Sequence, residues 1–230
     1  MNKVFAILAL TCAGITLNAA PAAPEGLYLM TRMMGGGLEM ATYWFHDGTV
    51  VRNPVASAKT LDVQAERAKS PASVGTYSLQ AGQLTLAFGS SNIKSRFEAD
   101  SVGRGFGWDA GAFSPVELFK SNATLDGSFS GGASVGGGAL MGSTTITFKP
   151  NGTYESDSVT SFSSQGRTSA ASGGSMGKDR GKYRIDGAAL HMISDGGKEK
   201  VVTSFPYDDG TTGPAPRSIY FGGVLMTRLK

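Results

Sequence analysis

The sequence predicts an all-β fold: an antiparallel meander that forms a barrel (or a sandwich), built from two tandem repeats of about 100 residues. Three observations predict it. Glycine and turn motifs recur in the same order in both halves, short aromatic and β-branched runs alternate with turn residues, and glycine occupies 33 of the 230 positions. Short strands joined by tight turns are the expected outcome of this pattern.

The repeat shows in three motifs that recur in order. The pairs are Gly26-Leu27-Tyr28 with Gly127-Ser128-Phe129, Gly35-Gly36-Gly37 with Gly136-Gly137-Gly138, and Asp47-Gly48-Thr49 with Asn151-Gly152-Thr153. The offset is 101 residues at Gly26 and 106 residues at Gly75, which matches Gly181. Small changes of offset indicate insertions in loops, so we assign repeat 1 to 24–124 and repeat 2 to 125–230.

The segment before the repeats, 1–23, has the pattern of a secretory signal peptide. Lys3 is followed by an apolar run over 4–17 and then by small residues up to Ala23. The run is shorter than the roughly 20 residues of a membrane-spanning helix. We therefore expect a protein that does not span a membrane and is secreted or periplasmic, with a bacterial Sec-type signal; lipid attachment at Cys12 is the alternative.

Cys12 is the only cysteine of the chain. Cleavage near Ala20 or Ala23 would remove it from the mature protein. Disulfides, thiolate nucleophiles and cysteine metal ligands would then be excluded, so the fold would depend on its apolar core.

The first predicted hairpin of each repeat follows an aromatic or β-branched run. Tyr43–His46 leads into Asp47-Gly48, and Thr144–Phe148 leads towards Asn151-Gly152. These dipeptides favour two-residue hairpin turns, in which both central residues need positive φ.

A second hairpin is predicted in each repeat around a matched glycine. Tyr77 to Leu86 turns at Gly82, and Tyr183 to Met192 turns at Gly187. A further strand follows in each half, Ile93–Phe97 and Lys200–Thr203, the latter after the turn dipeptide Asp195-Gly196. Each repeat is therefore a meander.

The two ends of the mature chain resemble each other. Leu29-Met30-Thr31-Arg32 reappears as Leu225-Met226-Thr227-Arg228. Pairing of these two segments would close one barrel and remove its exposed edges. We predict such a single barrel-like domain; two small separate barrels are the alternative, each with a thin core.

Three segments interrupt the meander. The spacing over Ser57–Lys69 predicts a short amphipathic helix that ends before Pro71. Its counterpart, Ser161–Gly177, is rich in serine and glycine and predicts a mobile loop. Near the end of repeat 1, 103–113 alternates aromatic residues with glycines, which is typical of a lid or contact loop.

The aromatic residues of that last segment are the candidate ligand-binding residues: Phe106, Trp108 and Phe113, together with Trp44. Aromatic side chains supply apolar contact area with few rotatable bonds. As a lid, the segment predicts that Trp108→Ala weakens a ligand and leaves the melting temperature nearly unchanged. The alternative is that these rings fill the open end of the barrel.

Catalytic and metal-binding patterns are sparse. The chain has two histidines, His46 and His191, so a catalytic triad or a multi-histidine metal site has few candidates. Gly35-Gly36-Gly37 lacks the helix and lysine of a phosphate loop, and Asp208-Asp209-Gly210 lacks the further ligands of a calcium loop. We predict no cofactor and no metal, and assign most methionines to the core rather than to copper.

Charge points to no particular partner, because the formal net charge of +3 comes from basic and acidic residues mixed along the chain. One alternating basic stripe could bind an anionic partner: Lys178, Arg180, Lys182 and Arg184. We do not expect nucleic acid as a partner, since no aromatic stacking platform accompanies the stripe.

The layout resembles the lipocalin-like small β-barrels, in which a glycine followed by an aromatic residue opens an antiparallel meander. Gly26-Leu27-Tyr28 and Gly127-Ser128-Phe129 stand where such families carry Gly-x-Trp. The chain departs from them in lacking tryptophan there, in lacking disulfide pairs and in its duplication. The resemblance implies a barrel with a ligand pocket or a binding rim, and carries over no functional residue.

Three classes of function remain open. The first is an exported, non-enzymatic binding module that holds a small hydrophobic ligand or an exported protein at the barrel mouth and the Gly-rich loops. The second is an interaction or inhibitor protein that acts on another exported protein, for which a flat loop surface would argue. The third is a hydrolase, which needs His46 or His191 beside a carboxylate and a nucleophile.

Overall fold

The computed structural model describes residues 22–35, 37–54, 61–101, 104–120, 122–135, 140–165, 170–207 and 215–230, so most of the predicted signal peptide lies outside it. The described chain is all-β and antiparallel, as predicted, with two sheets. The N-terminal sheet has nine strands: β1 (Gly26–Met34), β2 (Gly37–His46), β3 (Thr49–Arg52), β4 (Val74–Gln80), β5 (Gln83–Phe88), β6 (Ser91–Arg96), β7 (Glu98–Ala99), β8 (Phe106–Trp108) and β9 (Gly111–Pro115).

The second sheet is the C-terminal barrel, which closes when Phe129 of its first strand pairs with Arg228 of its last. Its eight strands are β10 (Gly127–Val135), β11 (Leu140–Phe148), β12 (Thr153–Gln165), β13 (Ala170–Asp186), β14 (Ala189–Ser194), β15 (Glu199–Tyr207), β16 (Ser218–Phe221) and β17 (Val224–Arg228).

The N-terminal sheet has the same strand order and connectivity as the barrel. Its strand order is β6-β5-β4-β3-β2-β1-β9-β8-β7, and its two edge strands, β6 and β7, are separated only by Phe97. In the barrel the single strand β15 pairs first with β14 and then with β16. β6 and β7 pair with β5 and β8 in the same way, so the N-terminal sheet is a barrel-like sheet interrupted at one residue.

The prediction of one barrel formed by both halves is wrong. Leu29–Arg32 lies in β1, which pairs with β2 and β9, whereas Leu225–Arg228 lies in β17, which pairs with β10 and β16. Closure within each repeat needs only short connections, and it places β9 and β17 in corresponding positions. Each half therefore completes its own sheet, as the alternative of two barrels expected.

Corresponding tyrosines support the repeat in three dimensions. The amide of Tyr77 donates to the Gly48 carbonyl at 2.9 Å, and the amide of Tyr183 donates to the Gly152 carbonyl at 2.8 Å. Their hydroxyls donate to carbonyls at the start of the respective repeat, Pro24 at 3.0 Å and Leu125 at 2.9 Å. Each ring also meets a phenylalanine edge to face, Phe45 and Phe148 respectively.

Two matched glycines are required by close backbone contact. A Cβ on Gly75 would lie 2.2 Å from the Ala87 carbonyl oxygen, and one on Gly181 would lie 2.0 Å from the Ile193 carbonyl oxygen. Real Cβ atoms do not approach backbone that closely, so the neighbouring strand would have to move. The glycine at this point of the meander is therefore a feature of packing in both halves.

The predicted first hairpin is confirmed in both repeats, but its two-residue turn is confirmed in one only. Asp47 and Gly48 have φ values of 44° and 73° and connect paired His46 and Thr49 in a two-residue turn. The matching connection is longer, since Phe148 pairs with Tyr154. Pro150 precedes Asn151-Gly152 and fixes a negative φ, so the turn begins one residue earlier and only Gly152 has positive φ.

The two counterpart segments differ from expectation to different degrees. A short helix ended before Pro71 is confirmed as α1 (Val63–Lys69), but it begins later than predicted, since Asp62 caps it and Leu61 lies outside it; 57–60 lies outside the described residues. The prediction of a mobile loop over 161–177 is wrong for its described residues, which extend β12 and β13 as a long hairpin. Ladder bonds use the backbone alone, so serine-rich strands can pair without an apolar face.

Each sheet encloses a core. Inside the N-terminal sheet lie Met30, Ala41, Tyr43, Phe45, Val50, Leu84, Leu86, Phe106, Trp108 and Phe113. Inside the barrel lie Phe119, Leu125, Phe129, Ile146, Phe148, Tyr154, Tyr183, Leu190, Met192, Val202, Ile219 and Met226. Met30, Met192 and Met226 are thus core residues, as predicted.

The sheets pack on each other through the outer face of β1 and β2. Leu27 and Trp44 share an apolar cluster with Ala188, and Leu29 packs with the stacked rings of Phe205 and Tyr220. The barrel surface that corresponds to this outer face is polar instead: hydroxyls of β10 and β11 bond one another, Ser128 with Thr147 at 2.7 Å and Thr145 with Ser130 at 3.2 Å.

Candidate functional site at the mouth of the C-terminal barrel

The four predicted ligand-binding residues do not share a cleft. Phe106, Trp108 and Phe113 are at most 6 % exposed and lie inside the N-terminal sheet, where 106–113 belongs to the hairpin of β8 and β9 rather than to a lid; residue 103 lies outside the described residues. Trp44 lies on the opposite face of that sheet, against the barrel. The first three rings therefore fill the interior, as the alternative interpretation expected.

The filling is dense and partly polar. Phe106 and Phe113 stack with ring centroids 4.5 Å apart, Tyr43 meets Phe113 at 5.3 Å, and the Trp108 indole donates to the Leu84 carbonyl at 2.8 Å. Arg32 bridges Glu39 and Asp109, at 2.7 and 3.2 Å, near the Tyr43 ring. Aromatic residues and an ion-pair network thus occupy this end of the N-terminal sheet.

Six matched positions of the C-terminal barrel carry smaller side chains. The strand registers place Phe221 where the first sheet has Trp108 and Ser194 where it has Phe88. Four more replacements go the same way: Met30 becomes Gly131, Tyr43 becomes Ile146, Phe106 becomes Ile219 and Phe113 becomes Met226. Two replacements go the other way, since Val50 becomes Tyr154 and Ala41 becomes Thr144. Space that rings fill in one sheet is therefore open in the other.

That space is a cleft of about 430 Å³ at the barrel mouth, hereafter the mouth cleft. Ile146, Met192 and Phe221 form its apolar part. Its lining also includes Thr144, Tyr154, Ser156, Ser158, Asp179, Ser194, Lys198 and Lys200. A second cleft of about 650 Å³ adjoins it on the other side of β12 and β13 and shares Ser156, Asp179 and Ser194.

Tyr154 and Asp179 form the fixed polar pair of the mouth cleft. The Tyr154 hydroxyl donates to Asp179 Oδ2 at 2.7 Å, and the Arg180 amide donates to Oδ1 at 2.9 Å. Burial and the Asp179 carboxylate raise the pKa of Tyr154 well above its ordinary value. The phenol therefore stays protonated and orients the carboxylate, which suits binding rather than proton abstraction.

The acidic groups around the mouth cleft have basic partners. Asp157 meets Lys178 at 3.6 Å, and Asp195 meets Arg180 at 2.9 Å. These pairs partly neutralise the basic stripe predicted from the alternation along β13, although Lys178, Arg180, Lys182 and Arg184 are all exposed on one face.

Lys198 and Lys200 differ from Lys178 and Arg180, because neither forms an ion pair with a carboxylate of the described chain. The Lys200 ammonium lies 5.8 Å from the centroid of the Phe221 ring, over the apolar part of the cleft. The mouth cleft therefore holds two ammonium groups without a described acidic partner and one carboxylate that Tyr154 already engages.

Both histidines contact carboxylates outside the mouth cleft. His46 bonds Glu25, and that bond raises the pKa of His46. His191 Nδ1 lies 2.9 Å from Glu199 and 2.9 Å from Arg184. These contacts supply the carboxylate that a hydrolase would need, but each described hydrogen bond of the histidines is with a charged group and none is with a hydroxyl nucleophile.

The described residues contain no group of three or more His, Cys, Asp or Glu side chains placed to hold a metal ion. Their helix falls short of the length and apolar content that crossing a membrane requires.

Comparisons of this chain with protein families, with curated proteins and with solved structures find no match. The closed eight-stranded antiparallel barrel is compatible with the resemblance to lipocalin-like barrels. The argument for function therefore depends on the geometry of the mouth cleft.

Sequence reasoning missed the residues of this cleft. Lys198 lies between a turn dipeptide and a predicted strand, Lys200 begins that strand, and Phe221 falls outside the motifs that define the repeat, so no motif singles them out. The available signal was the alignment of the repeats itself: once β8 is matched to β16, Trp108 falls on Phe221 and the loss of ring volume becomes visible.

Proposed function

We propose that this protein is an exported, non-enzymatic binding module that holds a small ligand in the mouth cleft of its C-terminal barrel. The observation that carries the proposal is the difference between the halves: two sheets of the same winding, one filled by aromatic rings and one with an open cleft. Packed interiors leave few voids larger than a water molecule, so a cleft kept in one copy indicates a use for it.

The character of the cleft supports binding. Its volume of about 430 Å³ falls within the range of small-molecule sites, which combine an apolar lining with a few fixed polar groups. The apolar lining consists of Ile146, Met192 and Phe221, and the fixed polar groups are the Tyr154–Asp179 pair. Export rests on the signal-peptide pattern of 1–23.

The test is native mass spectrometry of the mature protein purified from its own host, before and after denaturing extraction. We expect a mass that exceeds the polypeptide in the native spectrum and returns to it after extraction. The variant Ser194→Phe, which installs the side chain of Phe88, should fold and lose the extra mass. The matched change Ser78→Phe, at an exposed position of β4, should retain it.

A polypeptide mass without addition, together with no small molecule from a fragment screen that shifts NMR signals of the mouth cleft, would overturn the proposal. An added mass that survives in Ser194→Phe would place the ligand elsewhere.

One observation favours an interaction protein as the second candidate. The hairpin of β1 and β2 ends in the side chains of Met33, Met34 and Leu38, which are 57–69 % exposed. Adjacent exposed apolar side chains mark contact sites on many proteins. Capture of one exported protein by the native chain, lost in Met33→Ser with Leu38→Ser, would support this function over small-molecule binding.

A further inference from the structure

We infer that the ligand of the mouth cleft is an amphipathic anion, with an acidic head at Lys198 and Lys200 and an apolar body against Ile146, Met192 and Phe221. The inference rests on the proposed function and specifies the ligand class of the same site. Its shared chemistry covers fatty acids and other carboxylates that carry an extended apolar group.

The position of Lys200 carries the first step. Lys200 is the register partner of Met192, and cross-strand partners point to the same face of a sheet. Met192 lies in the barrel core, so Lys200 extends over the barrel interior rather than the outer surface. Its ammonium lies against the Phe221 ring, which removes part of its contact with water.

Lys198 is fixed beside it by the turn between β14 and β15. The Ser194 amide donates to the Lys198 carbonyl at 3.0 Å, and the Lys198 amide donates to Ser194 Oγ at 3.1 Å. Lys198, on this turn, and Lys200, in β15, therefore both line the cleft from backbone held by hydrogen bonds. Backbone that is already ordered lowers the entropy lost when an anion binds.

Among the described acids near the cleft, Asp157 and Asp195 have basic partners and Asp179 is held by the Tyr154 phenol, so Lys198 and Lys200 are the cations available to a ligand. Asp179 accepts from Tyr154, Asp195 and Asp157 pair with arginine and lysine, and Glu199 lies beside His191. A carboxylate head at Lys198 and Lys200 would make charge-assisted hydrogen bonds, about twice as strong as neutral ones. A cationic head would meet two like charges instead.

The apolar body follows from the floor of the cleft. Ile146 and Met192 are 2 % and 5 % exposed and continue into the barrel core, and Phe221 closes one side. A small inorganic anion would leave this apolar surface in contact with water, whereas a ligand with an alkyl or aromatic body buries it. The two lysines and the apolar floor of the cleft together therefore favour an amphipathic ligand.

The test uses three probes of equal chain length on the lipid-stripped mature protein: decanoate, decanol and decyltrimethylammonium, with affinity measured by calorimetry. We expect decanoate to bind at least tenfold more tightly than decanol, and the cation to bind most weakly. The double variant Lys198→Gln, Lys200→Gln should reduce decanoate affinity to that of decanol and leave decanol binding unchanged. Lys182→Gln, an exposed lysine of β13, is the matched control and should change nothing.

The outcomes separate the two proposals. Binding of decanol or the cation at the mouth cleft as tight as that of decanoate would overturn the anionic class and leave the binding function standing. Decanoate affinity that survives in the double variant would also overturn the assignment of the head to Lys198 and Lys200. Failure of all three probes and of the native mass spectrum to show a ligand would overturn both.

Discussion

The N-terminal sheet and the C-terminal barrel share a winding but differ in how their interiors are filled. Matched tyrosines donate to carbonyls at corresponding positions, and matched glycines lie against corresponding backbone atoms of the next strand. At the end of the interior, however, Trp108 and Phe88 of the first sheet are replaced by Phe221 and Ser194 in the second. The framework residues keep the fold, and the end of the interior is free to vary. One copy therefore devotes that end to stability, and the other has room there for a ligand.

The largest expected effect separates the two interiors at one matched position. Trp108→Ala removes a buried ring and an indole hydrogen bond, which should lower the free energy of unfolding by about 3–5 kcal/mol. Phe221→Ala, at the half-buried counterpart beside the cleft, should cost only about 1–2 kcal/mol. Urea unfolding followed by circular dichroism measures both.

Equal losses at the two positions would mean that the barrel end is as tightly packed as the first sheet. A melting temperature that does not change in Trp108→Ala would restore the lid interpretation of 103–113.

The next effect concerns the glycine that both halves require at the same point of the meander. Gly181→Ala should lower the free energy of unfolding by about 3 kcal/mol, because the new Cβ would overlap the Ile193 carbonyl. Gly142→Ala is the control, since a Cβ there meets no atom within 4 Å. Both tryptophans, Trp44 and Trp108, lie in the N-terminal sheet, so their fluorescence reports that half while circular dichroism reports both.

If the packed interface makes the halves unfold together, Gly181→Ala shifts the fluorescence midpoint as far as the dichroism midpoint. A fluorescence midpoint that stays in place would show that the halves unfold independently.

The smallest effect is a pH dependence of opposite sign in the two halves. Glu25 raises the pKa of His46 above 6.5, so their pair stabilises the fold fully below about pH 6.5 and is lost as pH rises through the raised value. Lys149 lowers the pKa of Glu155 below 4.5, so that pair stabilises above 4.5 and is lost as pH falls through the lowered value. Both pairs are exposed, so both contributions are small.

NMR titration of the His46 ring measures the first shift directly. Glu25→Gln should return its pKa towards the ordinary value, and Lys149→Gln should do the same for Glu155. A titration curve of His46 that is identical with and without the Glu25 carboxylate would contradict the assigned cause.

The local elements of the fold were largely predictable from the sequence, because they depend on short-range signals. Asp47-Gly48 marked a two-residue turn, and Pro71 marked the end of α1. The closure was not predictable in this way. The similarity of Leu29–Arg32 to Leu225–Arg228 reflects similar strands, but which strand each one pairs with is decided by packing across the whole sheet.

The candidate site was harder to predict, because it consists of differences between matched positions. Aromatic residues drew attention to Phe106, Trp108 and Phe113, yet large rings fill space and the open cleft lies where the rings are missing. Lys200 is informative only through its register with Met192, which a single sequence does not display.

The outer face of β10 and β11 carries hydrogen-bonded hydroxyl groups, and this has a consequence for contacts with other molecules. In the N-terminal sheet the same face carries Leu27, Leu29 and Trp44, which receive the Phe205–Tyr220 surface of the barrel, a head-to-tail contact between different faces. A barrel with leucines at Ser128 and Ser130 would offer that receiving face again to another molecule, and contacts of this kind propagate into open-ended fibres. The four hydroxyl groups of Ser128, Ser130, Thr145 and Thr147 instead leave this face without the apolar side chains that such a contact needs.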